Sequence, residues 1–564
     1  MKLALIVLFT FALMATANFC QAGDAASSAD AEAARAEAQQ FLDKYLADTA
    51  KLETNARLAS WAAANSGQQA DFDRSAETEL ALRKYHSDPE AFRRVSNLLE
   101  RGDRLEPNVR RSLEMARLAY AANQLPPELL QEMVTLSTEI ERLMNTHRAT
   151  VDGREYTNND LLEMLAEEND GQTRRKYWDG LKQVGDVVGP KIVELAKVRN
   201  RAARKLGYSD YWDMQIRLQE HDPARLLAIF GELETLTNEP FNRMKDGLDA
   251  ELARRFKTTP DRLMPWHYDN PFFQAAPPSE EVDVDEFYRD KTKEEIVEIA
   301  RKFYAEIGLP IEPILAKSDL FERPGKDQHA FCTNIDRAGD VRTLCNIKPT
   351  AEWMDTMLHE QGHAVYDYYM NYSLPYNLRE PAHAFTTEGI AMLFGALAKT
   401  PEWIIRHAGG DPSRVEAVAR AVREQRRREQ LIFARWTLVM LHFEKALYEN
   451  PDADLNALWW DTVERYQSLV RPPSRDKADW ASKPHFTIAP VYYHNYMLGE
   501  LFAAQVRGTL LKDDSKPFYE QPTLGRSMKE NVFFPGSKMP WPEFVRQATG
   551  KELTAKYFAD EVKP

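Results

Sequence analysis

The residues best suited to chemistry stand in one short run, His359-Glu360-Gln361-Gly362-His363. On a helix, residues i and i+4 share a face about 5–6 Å apart at Cβ, so two imidazoles at this spacing can hold one metal ion. The glutamate between them can then take a proton from a water molecule. The alternative is a pair of ordinary histidines on a surface or core helix. The spacing favours a zinc site with both histidines as ligands and Glu360 as general base.

A catalytic zinc site needs a third protein ligand and leaves one position open. The metzincin pattern is excluded, because Tyr366 and Tyr369 stand where that class has Gly and His. The other solution is a glutamate from a following helix. Glu388 opens an apolar run, where a carboxylate needs a charged partner or a metal. It is the favoured third ligand, and Glu380 and His383 remain its rivals.

A zinc site of this kind, with a glutamate as base, can hydrolyse peptides. That reaction also needs a hydrogen-bond donor for the oxygen that becomes negative in the transition state. Lys483 and His485, followed by Tyr492, Tyr493 and Tyr496, could supply such donors. A cluster of this composition is also common in apolar cores. The residues alone leave both interpretations open.

Helices must position most of these residues. Helical patterns, with apolar side chains at three- and four-residue spacing, cover Ala31 to Leu99, Val109 to Met144, Asp160 to Leu206 and Thr292 to Ile307. Thr350, with Glu352 in the next turn, marks the start of a helix that carries the paired histidines to about Asn371. The sequence predicts a mainly α protein.

A β-hairpin is predicted just before that helix, with arms His329 to Ile335 and Val341 to Ile347 around a turn-forming run. The arms carry Cys332 and Cys345. An even pair of cysteines at short spacing in an exported protein predicts a disulfide, and two buried free thiols are the alternative.

Length and charge narrow the class of protein. The chain has 564 residues, of which 43% are apolar and 10% aromatic, enough to fill a large core. No Gly/Ser/Pro-rich linker divides it, so a single large domain is predicted. Its formal charge of −14 and the absence of a basic run with interleaved aromatics argue against nucleic acid as a partner.

The N-terminus predicts export. A lysine precedes the apolar run Leu3 to Ala17, and small residues follow, which is typical of a signal peptide (residues 1–22) cleaved after Ala22. The run is shorter than the about 18–20 residues of a membrane anchor, and lipidation at Cys20 is the other alternative. The mature domain, residues 23–564, is expected to be periplasmic or secreted, with no membrane span.

With these residues assembled, the chain resembles the angiotensin-converting-enzyme family of zinc peptidyl-dipeptidases. The resemblance implies a large helical peptidase with a central cleft. Its catalytic region would cover about residues 160–564, and helices of about residues 30–150 would form a lid. Besides the paired histidines, the likeness is carried by Leu374-Pro375, Leu378-Arg379-Glu380, Val193–Trp212 and Pro540–Gly550.

The resemblance also implies a role for each matching residue. The implied zinc ligands are His359, His363 and Glu388, and the implied catalytic residues are Glu360, Tyr496 as oxyanion donor, and His485. The implied substrate contacts are the edge-strand residues His329 and Ala330 and, for the terminal carboxylate, Lys483, Tyr493 and Gln274.

Two departures bear on function. Met392 replaces a carboxylate that supports the metal ligands in the family, which predicts altered metal affinity or ligand orientation. Asn495 replaces an anion-binding Arg, which predicts only a weak response to chloride.

The predicted function is release of C-terminal dipeptides from oligopeptides with a free C-terminus, with one Zn²⁺ per chain. The alternatives are a zinc oligopeptidase or carboxypeptidase with another cut spacing, and a non-catalytic exported peptide-binding protein.

Overall fold

The computed structural model describes residues 4–101, 105–277, 283–512, 516–521 and 523–563, with side chains from residue 32 onward. Most of these residues are helical, and the few β-strands among them form two small antiparallel sheets. This confirms the prediction of a mainly α protein. The predicted signal peptide lies outside the described side chains, and its cleavage stays a prediction. In the described part of the chain, no helix is long and apolar enough to cross a membrane.

The chain divides into two compact units. The first comprises Met1–Ala63, Gln68–Gln124 and Tyr372–Arg379, and the second Ala64–Gly67, Leu125–Asn371 and Glu380–Pro564. The predicted single domain, with residues 30–150 as a lid, stays a prediction.

The first unit is built from helices around an apolar core. Tyr45 lies in that core, and its hydroxyl is 3.2 Å from Nε2 of the buried His86. Asp88 caps the third helix by accepting a hydrogen bond from the Glu90 backbone N–H (2.8 Å), and Val95 and Leu98 of that helix are buried. The helices are α1 (Ala4–Ser66), α2 (Gln69–His86), α3 (Pro89–Glu100) and α4 (Pro107–Ala121).

The second unit holds every predicted site residue. Its first helices are α5 (Pro127–Thr146), α6 (Asn158–Glu167), α7 (Gly171–Lys205), α8 (Tyr211–Leu218), α9 (Pro223–Arg255), α10 (Lys293–Glu306) and α11 (Glu312–Leu315). Its later helices are α12 (Ala351–Tyr368), α13 (Ala384–Gly395), α14 (Pro401–Trp403), α15 (Pro412–Glu449), α16 (Leu455–Gln467), α17 (His485–Ile488), α18 (His494–Gly508), α19 (Leu524–Met528), α20 (Trp541–Thr549) and α21 (Lys556–Glu561). Short 3₁₀ turns of this unit cover Pro260–Arg262, Pro265–His267, Val284–Phe287, Ala396–Lys399, Asp479–Ser482 and Phe518–Glu520, and π turns cover Ile404–Ala408 and Lys529–Phe533. One further 3₁₀ turn, Tyr376–Leu378, belongs to the first unit.

One β-hairpin escaped the sequence analysis. Strands β1 (Ala149–Val151) and β2 (Arg154–Tyr156) pair antiparallel around Asp152 and Gly153. Both turn residues have positive φ, 49° and 77°, as a type I′ turn requires. The Asp-Gly pair is the signal that could have revealed this hairpin.

The predicted hairpin is present, but the predicted disulfide is wrong. Strands β3 (Phe331–Asn334) and β4 (Val341–Leu344) pair antiparallel, and Cys332 and Cys345 are both free thiols. The register places Cys332 opposite Thr343, so Cys345 is its diagonal neighbour. Diagonal Cβ atoms lie about 7 Å apart, beyond the about 4 Å that a disulfide spans.

Small residues bring the helices of the site close together. A Cβ at Gly362 of α12 would lie 2.7 Å from Cα of Ala391 on α13. A Cβ at Gly389 of α13 would lie 2.7 Å from the carbonyl oxygen of Gly499 on α18. The predicted helix start is confirmed, because the Thr350 hydroxyl accepts a hydrogen bond from the Trp353 backbone N–H (3.2 Å). These three helices form the scaffold of the site.

Candidate active site

The paired histidines converge on one point. They stand one turn apart on α12, and their Nε2 atoms are 3.2 Å from each other. Burial lowers the pKa of both rings, that of His363 to about 3 with the neighbouring His359 contributing. Both imidazoles are therefore neutral, the form that can bind a metal.

Glu388 completes a set of three donors. Its Oε2 lies 3.8 Å from Nε2 of His359 and 3.8 Å from Nε2 of His363. Zinc bonds of about 2.0–2.2 Å in a tetrahedron place ligand atoms about 3.3–3.5 Å apart, close to the observed distances. The two nitrogens and one carboxylate oxygen therefore fit zinc. Among the described residues, these three form the one cluster of potential metal ligands.

The rival ligands are engaged elsewhere. Glu380 forms an ion pair with Arg337. His383 caps α13: its Nδ1 accepts a hydrogen bond from the Phe385 backbone N–H (3.2 Å), and its Nε2 lies 2.7 Å from the Gln219 carbonyl oxygen. Both interactions direct these side chains away from the three-donor cluster.

A hydroxyl that the sequence analysis overlooked supports the second histidine. Oγ1 of Thr387 lies 2.7 Å from Nδ1 of His363. Such a bond fixes the orientation of a metal-binding ring. Thr387 directly precedes Glu388, so its position next to the proposed ligand was the available signal.

The two carboxyl groups of the site have raised pKa values. Burial, with Glu388 nearby, raises the pKa of Glu360 to about 8, and a hydrogen bond to the Cys332 backbone opposes this. Burial raises the pKa of Glu388 to about 7. A divalent cation between such groups favours their charged forms. The bond to Cys332 also places strand β3 beside the predicted base.

The tyrosine cluster adjoins the metal ligands. Ring centroids of Tyr492 and Tyr493 each lie 5.3 Å from that of Tyr496. Burial and the nearby Glu388 raise the pKa of both Tyr492 and Tyr496, so both phenols remain protonated donors. The structure therefore brings two tyrosines to Glu388, and the sequence-based preference for Tyr496 stays a prediction.

The structure brings the predicted carboxylate contacts together. Lys483 Nζ donates a 2.6 Å hydrogen bond to Gln274 Oε1 and lies 5.5 Å from the ring centroid of Tyr493. Burial lowers the pKa of Lys483 to about 8. In the described part of the chain, no carboxylate forms an ion pair with Lys483 within 4.0 Å. A buried ammonium of this kind is suited to receive an anion.

His485 stands at the same cluster, with its ring 4.9 Å from that of Tyr493. Burial and Lys483 lower its pKa to about 4, so the ring is neutral. It can donate or accept one hydrogen bond with a peptide.

The two residues that the family resemblance assigns to the edge strand, His329 and Ala330, lie just before strand β3. The side chain of His329 is 94% exposed, and its Nδ1 is 3.1 Å from Oδ1 of Asp327. Ala330 is half-buried just before β3. Among the described residues no contact joins His329 to the metal cluster, so its predicted role depends on a peptide lying along β3.

Asn495 and Met392 are the two positions at which the sequence differs from the family pattern, and the structure shows what surrounds each of them. Asn495 Nδ2 donates to Gln219 Oε1 (2.8 Å), and its Oδ1 lies 3.4 Å from Nε2 of His221. Neutral hydrogen bonds thus surround the position of the family's arginine. Met392 lines the same cavity as His359 and offers no carboxylate to it.

Comparisons with known proteins agree with this geometry. The family profile described as "Angiotensin-converting enzyme" matches residues 32–243, and "Peptidase family M3" matches residues 317–564. Together with the three-donor cluster, these matches define a metallopeptidase. The chain is thus a metallopeptidase that is similar, over most of its length, to the angiotensin-converting-enzyme and M3 peptidase families.

Its relatives are distant. Angiotensin-converting enzyme of Theromyzon tessulatum is 22% identical over 489 residues, covering 78% of this chain and 77% of the relative. Carboxypeptidase 1 of Bacillus subtilis is 21% identical over 502 residues, covering 83% and 84%. Angiotensin-converting enzyme of Oryctolagus cuniculus is 23% identical over 453 residues, covering 72% of this chain and 33% of that protein.

Proposed function

We propose that this protein is an exported zinc peptidase that releases dipeptides from the C-terminus of oligopeptides. The observation that carries this proposal is the buried Lys483 ammonium, hydrogen-bonded to Gln274 beside Tyr493. A free α-carboxylate would supply the anion that this ammonium lacks, in a charge-assisted hydrogen bond.

His359, His363 and Glu388 would hold one zinc ion. When bound, zinc supplies Lewis acidity, which lowers the pKa of water toward neutrality and polarises a carbonyl group. The carboxylate and the two neutral rings hold their positions through the tight packing of α12 on α13 and through Thr387.

Glu360 acts as the base. It takes one proton from the attacking water as the oxygen bonds to the scissile carbon. It then passes that proton to the peptide nitrogen as the C–N bond breaks. Burial raises the pKa of this carboxyl, and a nearby divalent cation would favour its charged form, the form that accepts a proton.

Tyr496 donates a hydrogen bond to the carbonyl oxygen as negative charge develops there. His485 holds the substrate backbone, and strand β3, together with His329 and Ala330 just before it, aligns the peptide as an added strand. Lys483, Tyr493 and Gln274 hold the terminal carboxylate and so fix the distance from the end of the peptide to the scissile bond.

Family likeness supports a two-residue distance, and the name of the Bacillus subtilis relative favours a second candidate, a carboxypeptidase. Mass spectrometry of timed digests of a ten-residue peptide separates the two. The proposal expects a ladder of products that shorten by two residues from the C-terminus. Products that shorten by one residue would establish the carboxypeptidase, and internal cuts would contradict both.

The neutral surroundings of Asn495 support a weak response to chloride. Titrating chloride at constant ionic strength should change kcat/KM by less than about twofold. A strong activation would require another anion site.

A further inference from the structure

A cavity of about 620 Å³ extends from His359 to Gln274. We infer that this cavity receives the side chain of the substrate's C-terminal residue and that Glu500 selects a basic side chain there. The inference rests on the proposed function, because a carboxylate held at Lys483 and Gln274 places the adjacent side chain at the Gln274 end of the cavity.

The cavity wall follows from helix periodicity. Side chains one turn apart share a helix face. On α12, α13 and α18, the residue one turn from His359, Glu388 or Tyr496 lines the cavity. These residues are Asp355, Met392 and Glu500.

The charged groups of the wall are only partly paired. Lys399 Nζ lies 3.3 Å from Oδ2 of Asp355. Arg426 Nη1 donates to the Ala396 carbonyl oxygen (3.2 Å), and no carboxylate of the described residues lies within 4.0 Å of this arginine. The Glu500 side chain has neither a hydrogen bond nor an ion pair with any described residue. It is the wall's carboxylate without a partner.

The sign of the charge decides which side chain fits. Asp355, Glu429 and Glu500 are acidic, and Lys399 and Arg426 are basic, which leaves one negative charge in excess. An acidic substrate side chain would add a second. An apolar side chain would exclude water from Glu500 without replacing its hydrogen bonds, which is costly. A lysine or arginine neutralises the excess and gives Glu500 a charge-assisted bond.

Arg426 does not reverse this preference. It already has a carbonyl acceptor, and burial together with the neighbouring Arg507 lowers its pKa, while Glu500 opposes that shift. Burial raises the pKa of Glu500, and the more distant charges of Arg507 and Arg426 oppose that shift without forming an ion pair with it.

The test compares peptides that differ only in their C-terminal residue: Arg, Lys, Gln, Leu or Glu. For the zinc-loaded full-length protein, kcat/KM for the Arg and Lys peptides should exceed that for the Leu peptide by about tenfold or more, with Glu poorest. Glu500→Gln should reduce the Arg-to-Leu ratio by about tenfold. Glu416→Gln, an exposed residue of α15, should leave the ratio unchanged. Because both substrates are measured on one preparation, the ratio does not depend on the fraction of folded enzyme.

The outcomes separate this inference from the proposed function. If no peptide is cut, the proposed function fails. If dipeptides are released but Leu or Glu is preferred to Arg, the inference alone is overturned. Retention of the Arg preference in Glu500→Gln would overturn the assignment to Glu500.

Discussion

Burial sets the protonation states of single residues at this site. It keeps the two imidazoles of α12 neutral, and it raises the pKa of Glu360 to about 8 while lowering that of Lys483 to about 8. The imidazoles are thus in the protonation state that metal binding requires, and the pKa values of Glu360 and Lys483 lie close to neutral pH. Both shifts follow from the fold, because burial removes water from the Glu360 carboxyl and the Lys483 ammonium and so disfavours their charged forms.

The choice between two tyrosines is testable at this scale. Tyr496→Phe should lower kcat about a hundredfold with little change in KM, because an oxyanion donor acts mainly in the transition state. Steady-state kinetics on a blocked tripeptide measures this. Tyr492→Phe is the matched control, since Glu388 raises the pKa of Tyr492 as it does that of Tyr496. A larger loss in the control would transfer the role to Tyr492.

The carboxylate contacts predict a dependence on the substrate's terminus. Amidating the C-terminus should lower kcat/KM about ten- to a hundredfold, because the charge-assisted bond to Lys483 is lost. Lys483→Ala should cost a similar factor on free peptides and little on amidated ones, and this double-mutant comparison isolates the contact. Equal losses on both substrates would show that Lys483 acts only through the fold.

At the scale of elements, the site depends on how closely three helices pack. Gly362→Ala should destabilise the protein by about 1–3 kcal/mol, because the new Cβ would meet Cα of Ala391 at 2.7 Å. Denaturant unfolding measures this. Gly231→Ala is the control: its Cβ in α9 meets nothing within 4 Å, so the change should be neutral or stabilising. Equal effects would mean that α12 and α13 can separate without cost.

The strand register makes a second prediction. Thiol titration of the denatured, unreduced protein should find Cys332 and Cys345 both reactive, because the register sets them diagonally. That gives two thiols for a chain cleaved after Ala22 and a third, Cys20, for an uncleaved one. Fewer than two would mean that the hairpin adopts another register.

Local patterns in the sequence predicted the elements better than their partners. The metal-bearing helix starts at Thr350 as its capping pattern indicated, because capping depends on neighbours in the chain. The disulfide was wrong because register depends on turn geometry across β3 and β4. Glu500 escaped notice because only the packing of α18 against α13 brings its side chain to the wall of the cavity.

At the scale of the whole molecule, one ion would join two helices. His359 and His363 belong to α12 and Glu388 to α13, so zinc would bind the folded chain far better than the unfolded one. Ligands of the folded state stabilise it in proportion to the logarithm of their excess over Kd. The metal is therefore expected to contribute to the stability of the second unit as well as to catalysis.

The most direct test of the account is the zinc content of natively purified protein, measured by elemental mass spectrometry. We expect about one zinc per chain in the natural protein and in Glu360→Gln. The latter should lose about a thousandfold or more in kcat, because only the base is removed. Glu388→Ala should retain much less zinc, because one of three protein ligands is missing. An active natural protein without zinc, or a Glu388→Ala variant with full zinc content, would contradict the account.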